Sequence, residues 1–444
     1  MSNDKEPGYV LGTETDETDS FDTITALVAA DHEHDIKLRT MSWQKTACLL
    51  AGEQVCLAIM AQSWSLSVLG WVPGIITMVL CGILFWITSI TMHKYIMKHP
   101  HIMDICDFGY HIFGQSKTAY AFSSFMMLAN NILLIGFHVL TGAKVLNTLS
   151  DHSLCTAVFS IIVTIMGIIM SIPRALQHVS LMSMFSSACM GIAILLFLIF
   201  AGIEKAPLYR DSGTYLTVGP VKTYAFPLPD TTWVACMNAV MNITFIWVPQ
   251  ILFPTFISEM ERPQDFPKAL AVLAAISAFL FIVPSVIGFH FLGQYSTAPA
   301  FGSLGVVSYK KASFGFVIVP TLIIGVIYAN VTAKFIYTRI LGKSRHSHSH
   351  TVLGWSVMGD FLSLLSAAFD SFFGFIYFAI AYWQLNRGSL FSGPGRTALT
   401  VLNVLILAVG LFLLGPGLYS AVEAIISDYA GSITPAFTCA NMAI

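Results

Sequence analysis

The sequence predicts an all-α membrane protein that crosses the bilayer many times and consists of two inverted repeats of five helices. Three observations carry that reading. Of 444 residues, 56% are apolar and only 10% are charged, against about a quarter charged in ordinary soluble domains. The apolar residues gather into ten runs, each near or above the roughly 20 residues that span a hydrocarbon core. The first and sixth runs are interrupted at comparable places by glycine, proline and polar residues. The composition excludes a globular enzyme in water. A net charge of −2 with no basic stripe excludes a nucleic-acid surface.

Residues 1–40 hold ten of the 24 acids and three of the 22 basic residues, Lys5, Lys37 and Arg39. Such an acidic, Thr-rich leader reads as a disordered tail. It carries no cleavable signal, so the run from Trp43 must act as its own membrane signal. The runs lie at about 43–68, 73–97, 118–147, 154–172, 178–203, 233–257, 267–293, 313–341, 355–383 and 398–427. Repeat one covers about 43–203 and repeat two about 233–427, within a membrane domain of 41–430; residues 431–444 form a tail. Segment 98–117 is amphipathic and is expected along the membrane surface. The 204–232 connection, with four prolines and Tyr209, Tyr215 and Tyr224, is expected to be an ordered irregular loop. His346, His348 and His350 alternate with serine, a tract that reads as a polar linker or as a metal-binding one. The eight cysteines show no CxxC spacing, so neither a zinc site nor a disulfide framework is indicated.

With a cytosolic N-terminus, Lys37, Arg39, Lys45, Lys94, Lys98, Lys117, Arg174, Arg262, Lys268, Lys343 and Arg345 all fall inside, as the positive-inside rule asks. The end of the chain breaks this order. Ten crossings put Arg387 and Arg396 outside and leave an inner C-terminal tail with no Lys or Arg. An eleventh crossing after His350 would repair both, but Thr351–Asp360 is too short to supply it.

Run 1 carries Gly52, the ionisable Glu53, Gln54, Gln62 and Ser63. Run 6 carries Asn238 and Asn242, then Pro249, Gln250 and Pro254, and each proline removes a helix hydrogen bond. Broken helices in matching positions of two repeats are where secondary transporters bind their substrates. Freed N–H groups at a half-helix start attract a carboxylate, and freed carbonyls attract an ammonium. A zwitterion such as an amino acid meets both. Other readings are open for the same residues. A membrane proline can be a simple kink, Glu53 a structural carboxylate hydrogen-bonded between helices, and Trp247 core packing. Asn130, Asn131, His138, His290 and Asn330 can be interhelical glue. In run 8, Asn330 and Thr332 could face run 1 and form a cation or proton site. Asp370 in run 9 is a second intramembrane carboxylate and a second proton candidate.

At these residues the chain resembles the amino acid/auxin permease family, and above all its fungal neutral amino acid permeases. The family's Ala-Glu-Thr-Val-Ser-Leu-Gly-Ile-Leu-Ser-Leu-Pro is matched by AGEQVCLAIMAQS from Ala51, followed by Leu69-Gly70-Trp71-Val72-Pro73-Gly74. Its Glu-Met-x-x-Pro-x-Asp-Phe-x-Lys-Ala-Leu is matched by Glu259-Met260-Glu261-Arg262-Pro263-Gln264-Asp265-Phe266-Pro267-Lys268-Ala269-Leu270. Gly293-Gln294-Tyr295, Pro299 and Gly302-Ser303 look like the family's outer loop before helix eight. The resemblance implies the leucine-transporter-like 5+5 inverted repeat plus one helix. It also implies uptake of neutral amino acids coupled to protons or another cation. Carried over by position, the substrate-binding residues are Gln54, Val55, Cys56, Leu57, Ala58, Ile246, Trp247, Val248, Pro249 and Gln250, with Glu53, Asn330 and Thr332 for coupling.

Three departures stand out. Ala58 replaces the family's glycine, and Gln62-Ser63 replaces Leu-Pro. The family's ninth helix has no counterpart, since Thr351–Trp355 runs almost directly into Met358–Trp383, a segment like the tenth. With eleven crossings Cys155 and Cys439 share the outer side and can pair; with ten they cannot. The reading is thus a secondary active transporter whose partners are an amino acid, a proton or cation, and membrane lipid, with no cofactor. An uptake role points to the plasma membrane rather than the vacuolar one. A transport-inactive sensor on the same fold is the alternative. No P-loop, HExxH or repeated filter sequence supports a pump, an enzyme or a channel.

Overall fold

The structure, a computed structural model, describes residues 39–172, 176–204, 219–336, 366–429, 439 and 441. The His346–His350 tract, the acidic leader up to residue 38, Tyr209, Tyr215 and the Thr351–Asp360 stretch lie outside the described residues. The described chain is helical, apart from irregular connections and one bridge between Met41 and Met260.

Helix α1 (Trp43–Gln54) starts at Ser42, whose hydroxyl accepts the Lys45 N–H. The chain is extended at Cys56, makes a 3₁₀ turn over Leu57–Ala61, and continues as α2 (Gln62–Leu69). The two halves meet at a bend of 45°. Gly70, at φ 79°, turns the chain into α3 (Trp71–Lys98). The amphipathic segment forms α4 (Ile105–Ile112), with the Asp104 carboxylate capping the Cys106 and Asp107 N–H groups at 2.9 Å. Then come α5 (Lys117–Leu149), α6 (Thr156–Met170) and α7 (Leu176–Ile203).

The second repeat opens with α8 (Trp233–Ile246), capped by Thr232. It breaks over Trp247–Leu252 and resumes as the short α9 (Phe253–Ser258). Helices α10 (Phe266–Leu292) and α11 (Val307–Ile336) follow. A π-helical stretch, Ser366–Ile376, leads into α12 (Tyr377–Leu385). Helix α13 (Pro394–Phe412) and α14 (Leu418–Tyr429) are joined by a π-turn at Pro416. Among the described residues, six single helices are long and apolar enough to cross a membrane, and the bent α1–α2 pair taken as one span makes a seventh; α6 and α8 are apolar but shorter. Ile76, Leu80 and Ile83 on α3, Ile161 and Ile165 on α6, Leu181 and Phe185 on α7, and Val404 and Leu405 on α13 are exposed. Water does not tolerate such continuous apolar faces, whereas lipid does.

Two ends can be told apart by their contacts. At the basic end, Met41 exchanges backbone hydrogen bonds with Glu259 and Glu261, and Glu259 pairs with Lys334 of α11. The His93 ring of α3 meets the Pro263 carbonyl at 3.0 Å, and Tyr95 donates to Gln384 of α12 at 2.6 Å. At the opposite end, Asp151 pairs with Lys311, the Glu204 carboxylate caps the start of α11, and Cys155 forms a disulfide with Cys439. Helix α1 leaves the basic end and α8 runs toward it, which is the inversion expected of the repeats.

This geometry corrects the placement of the last connection. Ten crossings set Arg387 and Arg396 opposite the Lys94–Lys98 end, but Gln384 bonds both Tyr95 and the Ile112 carbonyl. Their connection therefore sits at the basic end. Helices α11 and α12 both finish there. The Cys155–Cys439 tie agrees, since it holds the C-terminal segment at the other end. Non-reducing peptide mass spectrometry of the full chain is expected to recover Cys155 and Cys439 as one linked pair; two free thiols would remove this tie.

Candidate functional site

The two breaks face each other across a cavity. Each break has a local cause. At the end of α1 the Val55 N–H still bonds Ala51, but Cys56 is extended, and its N–H reaches back to the Gln54 carbonyl while its own carbonyl accepts the Ile59 N–H of the next turn. Leu57 and Ala58 open the next turn, so their N–H groups have no carbonyl behind them in their own helix. At the end of α8, Pro249 has no N–H to continue the ladder, and Trp247 and Val248 close the turn onto Thr244 and Phe245. Pro254 behaves differently from the sequence expectation. It lies in the first turn of α9, where no hydrogen bond is lost. Gly52 also differs: it stays helical and serves a close helix contact rather than the break.

Glutamines tie the two broken helices together. Gln54 donates to the Ile246 carbonyl at 2.8 Å and accepts from the Ser277 hydroxyl at 3.0 Å. Gln62 donates to the Ala58 carbonyl, to the Asn242 carbonyl and to the Asn242 side chain at 3.1–3.2 Å. The Gln62 that replaces the family's leucine is thus a strut, and part of the carbonyl set freed at Ile246 is already occupied.

Glu53, Gln54, Cys56, Leu57, Ala58, Ile246, Val248 and Pro249 line the cavity. Five other expected residues do not. Val55 is fully buried in the apolar core. Trp247 packs between Phe281, at 4.8 Å between centroids, and Phe85, at 5.7 Å, which favours core packing over a lid. Gln250 turns to α3 and donates to Thr88 at 3.1 Å. Thr332 accepts from Asn131 of α5 at 2.9 Å and donates to the Tyr328 carbonyl. Asn330 is buried outside the cavity lining, with its Nδ2 unpartnered. Run 8 instead presents Tyr328, whose hydroxyl donates to Glu53 Oε1 at 2.7 Å. The reason is helical period: Ile324 and Tyr328 share one face, while Asn330 lies about 200° around from Tyr328 at 100° per residue.

Glu53 is 6% exposed, and its second oxygen, Oε2, has no hydrogen-bond partner. Asp370 faces the same cavity from the π-helical stretch, and Asn130, Leu134, Phe137, His138 and Thr141 form its wall along α5. That wall climbs about 16 Å at 1.5 Å per residue, toward the disulfide end. At the basic end the Met41–Met260 bridge and the Glu259–Lys334 pair join the start of α1 and α11 to the segment after α9. No lysine or arginine is among the described lining residues. A carboxyl-rich cavity with apolar walls can hold a small solute bearing positive charge at one end, together with a proton or cation.

Comparison with known proteins agrees with this architecture. The chain is 27% identical over 435 residues to the N amino acid transport system protein of Neurospora crassa, covering 93% of this chain and 91% of that protein. It is 26% identical to a transmembrane transporter of Gibberella moniliformis, covering 98% and 94%. The crystal structure of MhsT in complex with L-phenylalanine superposes with a TM-score of 0.52 at 14% identity, over 88% of this chain and 99% of that one. That likeness shows the fold, the leucine-transporter-like inverted repeat. The protein is an integral multi-pass membrane protein, and residues 39–350 match the family described as transmembrane amino acid transporter protein, ending where the sequence departs from the permease pattern. The chain belongs to the transmembrane amino acid transporter family.

Proposed function

We propose that this protein is a proton-coupled symporter of neutral amino acids that works by alternating access around the breaks in α1–α2 and α8–α9. The observation that carries the reading is Glu53, a buried carboxylate with one oxygen unpartnered, beside the break and facing the cavity. A carboxylate in that position needs a proton or a cation. The apolar wall of Leu57, Leu134, Phe137, Val248 and Ile324 suits an uncharged side chain. The acids disfavour an anionic one. Backbone of the cavity-lining residues at the breaks, Cys56–Ala58 and Val248–Pro249, meets the zwitterionic head. Asn330 and Thr332 take no direct part in this reading, and Tyr328 stands in their place beside Glu53.

Orientation follows from charge. The basic end now includes Arg387 and Arg396 as well as Lys94 and Lys98, so it faces the cytosol together with the N-terminus. The disulfide then faces an oxidising exterior, which suits the plasma membrane.

The test is uptake by the full chain in proteoliposomes, with labelled glycine, L-alanine, L-glutamine and L-phenylalanine and an inward proton gradient. Accumulation above the equilibrium level is expected for at least one of them, and it should collapse when the gradient is dissipated. In Glu53→Gln, gradient-driven accumulation should be lost while equilibrium exchange of the same amino acid survives. Uptake in Glu53→Gln with an unchanged pH profile would remove Glu53 from coupling. Binding without accumulation by the unsubstituted chain would leave a sensor instead.

A further inference from the structure

We infer that His138 and Thr141, on the α5 wall of the cavity, read the substrate's side chain, and that the preferred substrate is a neutral amino acid ending in a carboxamide. The inference rests on the proposed transport of neutral amino acids and narrows its substrate class. Interhelical glue does not describe His138. Other histidines find partners: the His93 ring meets the Pro263 carbonyl at 3.0 Å, and the His152 ring meets the Asn147 side chain at 2.8 Å. The His138 ring lines the cavity, is 8% exposed and makes no hydrogen bond to the described residues. Its ring contact is with Phe137, its own chain neighbour, at 5.6 Å between centroids. Thr141 repeats the pattern one turn further on. Helix threonines commonly return their hydroxyl to the carbonyl four residues back, as Thr88, Thr148 and Thr321 do at 2.8–2.9 Å. Thr141, equally buried and also lining the cavity, makes no such bond among the described residues.

The packing of α5 on α11 gives the level of this pair. The two helices run antiparallel in one register. Asn131 bonds Thr332, a Cβ on Gly325 would meet His138 Cβ at 3.4 Å, and a Cβ on Gly142 would meet Thr321 at 3.7 Å. Tyr328 lies three residues from Gly325 toward the basic end. His138 therefore stands about 4.5 Å, nearly one turn, to the disulfide side of the Tyr328–Glu53 bond. With the zwitterionic head held at the breaks beside Glu53, a side chain directed toward the disulfide end meets His138 first and Thr141 next. A neutral imidazole offers one donor and one acceptor, and a hydroxyl offers both. A carboxamide supplies an acceptor and two donors, so it serves both partners at once. An apolar side chain displaces water from these groups without returning the hydrogen bonds. A site whose buried polar groups are left unpaired in this way discriminates against such a substrate.

The experiment compares labelled L-glutamine with L-methionine, of similar length but without the amide, in proteoliposomes of the full chain. The unsubstituted chain should favour L-glutamine in kcat/KM by about tenfold. His138→Leu should raise the L-glutamine KM by about tenfold while moving the L-methionine KM by less than about twofold, so that the preference collapses. His138→Asn keeps a donor and an acceptor and should retain part of the preference. Thr141→Val should lower it about threefold. A melting curve checks the folding of each variant, and where His138→Leu does not fold, His138→Phe and Thr141→Val decide. A glutamine-to-methionine ratio unchanged in His138→Leu, or in both of the deciding variants, overturns the inference. So does an unsubstituted chain that takes both amino acids equally well, and in that case the proposed function stands. If the unsubstituted chain accumulates neither amino acid, the transport reading fails. Thermal-shift competition between the two amino acids on the same variants then decides the role of His138 by the same ratio.

Discussion

Gly52→Ala is expected to abolish uptake, although it adds a single methyl group. A Cβ built on Gly52 would lie 2.1 Å from Ser183 Cβ and 2.6 Å from Ser183 Cα. Those atoms belong to α7, the helix against which α1 packs most closely. No side-chain rotation removes a contact with a backbone atom, so α1 must move away from α7. Overpacking of this kind costs about 1–3 kcal/mol. The function loses more than the stability, because Glu53 and Gln54 follow Gly52 directly and are carried with the helix. The Gln54 bond to Ile246 and the Glu53 bond to Tyr328 would both be stretched. Ser183→Gly removes the 2.1 Å contact but leaves the one to Cα. The double variant should therefore recover part of the thermal stability and part of the uptake. The paired measurement is a melting curve in detergent alongside proteoliposome uptake. Full uptake in Gly52→Ala would show that the approach of α1 to α7 is not needed.

Much of the architecture was legible because a bilayer leaves few alternatives. Every backbone group must be satisfied inside its own segment, so long apolar runs become helices, and the limits read from the sequence agree with the observed ones to within a few residues in most cases. The breaks were legible for a related reason: Pro249 and the polar Glu53-Gln54 pair interrupt runs that are otherwise largely apolar. What the sequence did not reveal was direction. In a helix that is apolar on most sides, periodicity does not mark which face meets the cavity. Asn330 and Thr332 drew attention by polarity, whereas Tyr328, one turn before Thr332, is the residue that reaches Glu53. Trp247 and Gln250 lie in the broken segment, but the turns on either side of Pro249 aim them at Phe85, Phe281 and Thr88. The Glu259–Leu270 motif was recognised as a string of residues. Its physical content is an end-plate: Met260 bridges to Met41, Pro263 receives His93, and Glu259 meets Lys334.

That end-plate gives the other large effect. Lys334→Met is expected to open the cavity toward the basic end. The Glu259–Lys334 pair joins the end of α9 to α11, with the two side chains 4% and 17% exposed, so it is shielded from solvent screening. Removing one member of such a pair costs about 3–5 kcal/mol, because a buried charge loses its partner. The carboxylate can recover that energy by reaching water, which requires the end of α9 to move off α11. At about 1.4 kcal/mol per tenfold change in population, a bias of this size takes the basic-end-open state from rare to dominant. Cys56 reports the change without an added label site. It is buried and lines the cavity, so a membrane-impermeant thiol reagent applied from the basic end should reach it only when that end opens. In a background with the other free cysteines replaced by serine, Lys334→Met should speed Cys56 modification from that side and slow net uptake. Pairing it with Glu259→Gln removes the stranded charge, and modification should fall back toward the original rate. Equal Cys56 modification rates in the single variant and the unsubstituted chain would mean that the ion pair does not hold this end shut.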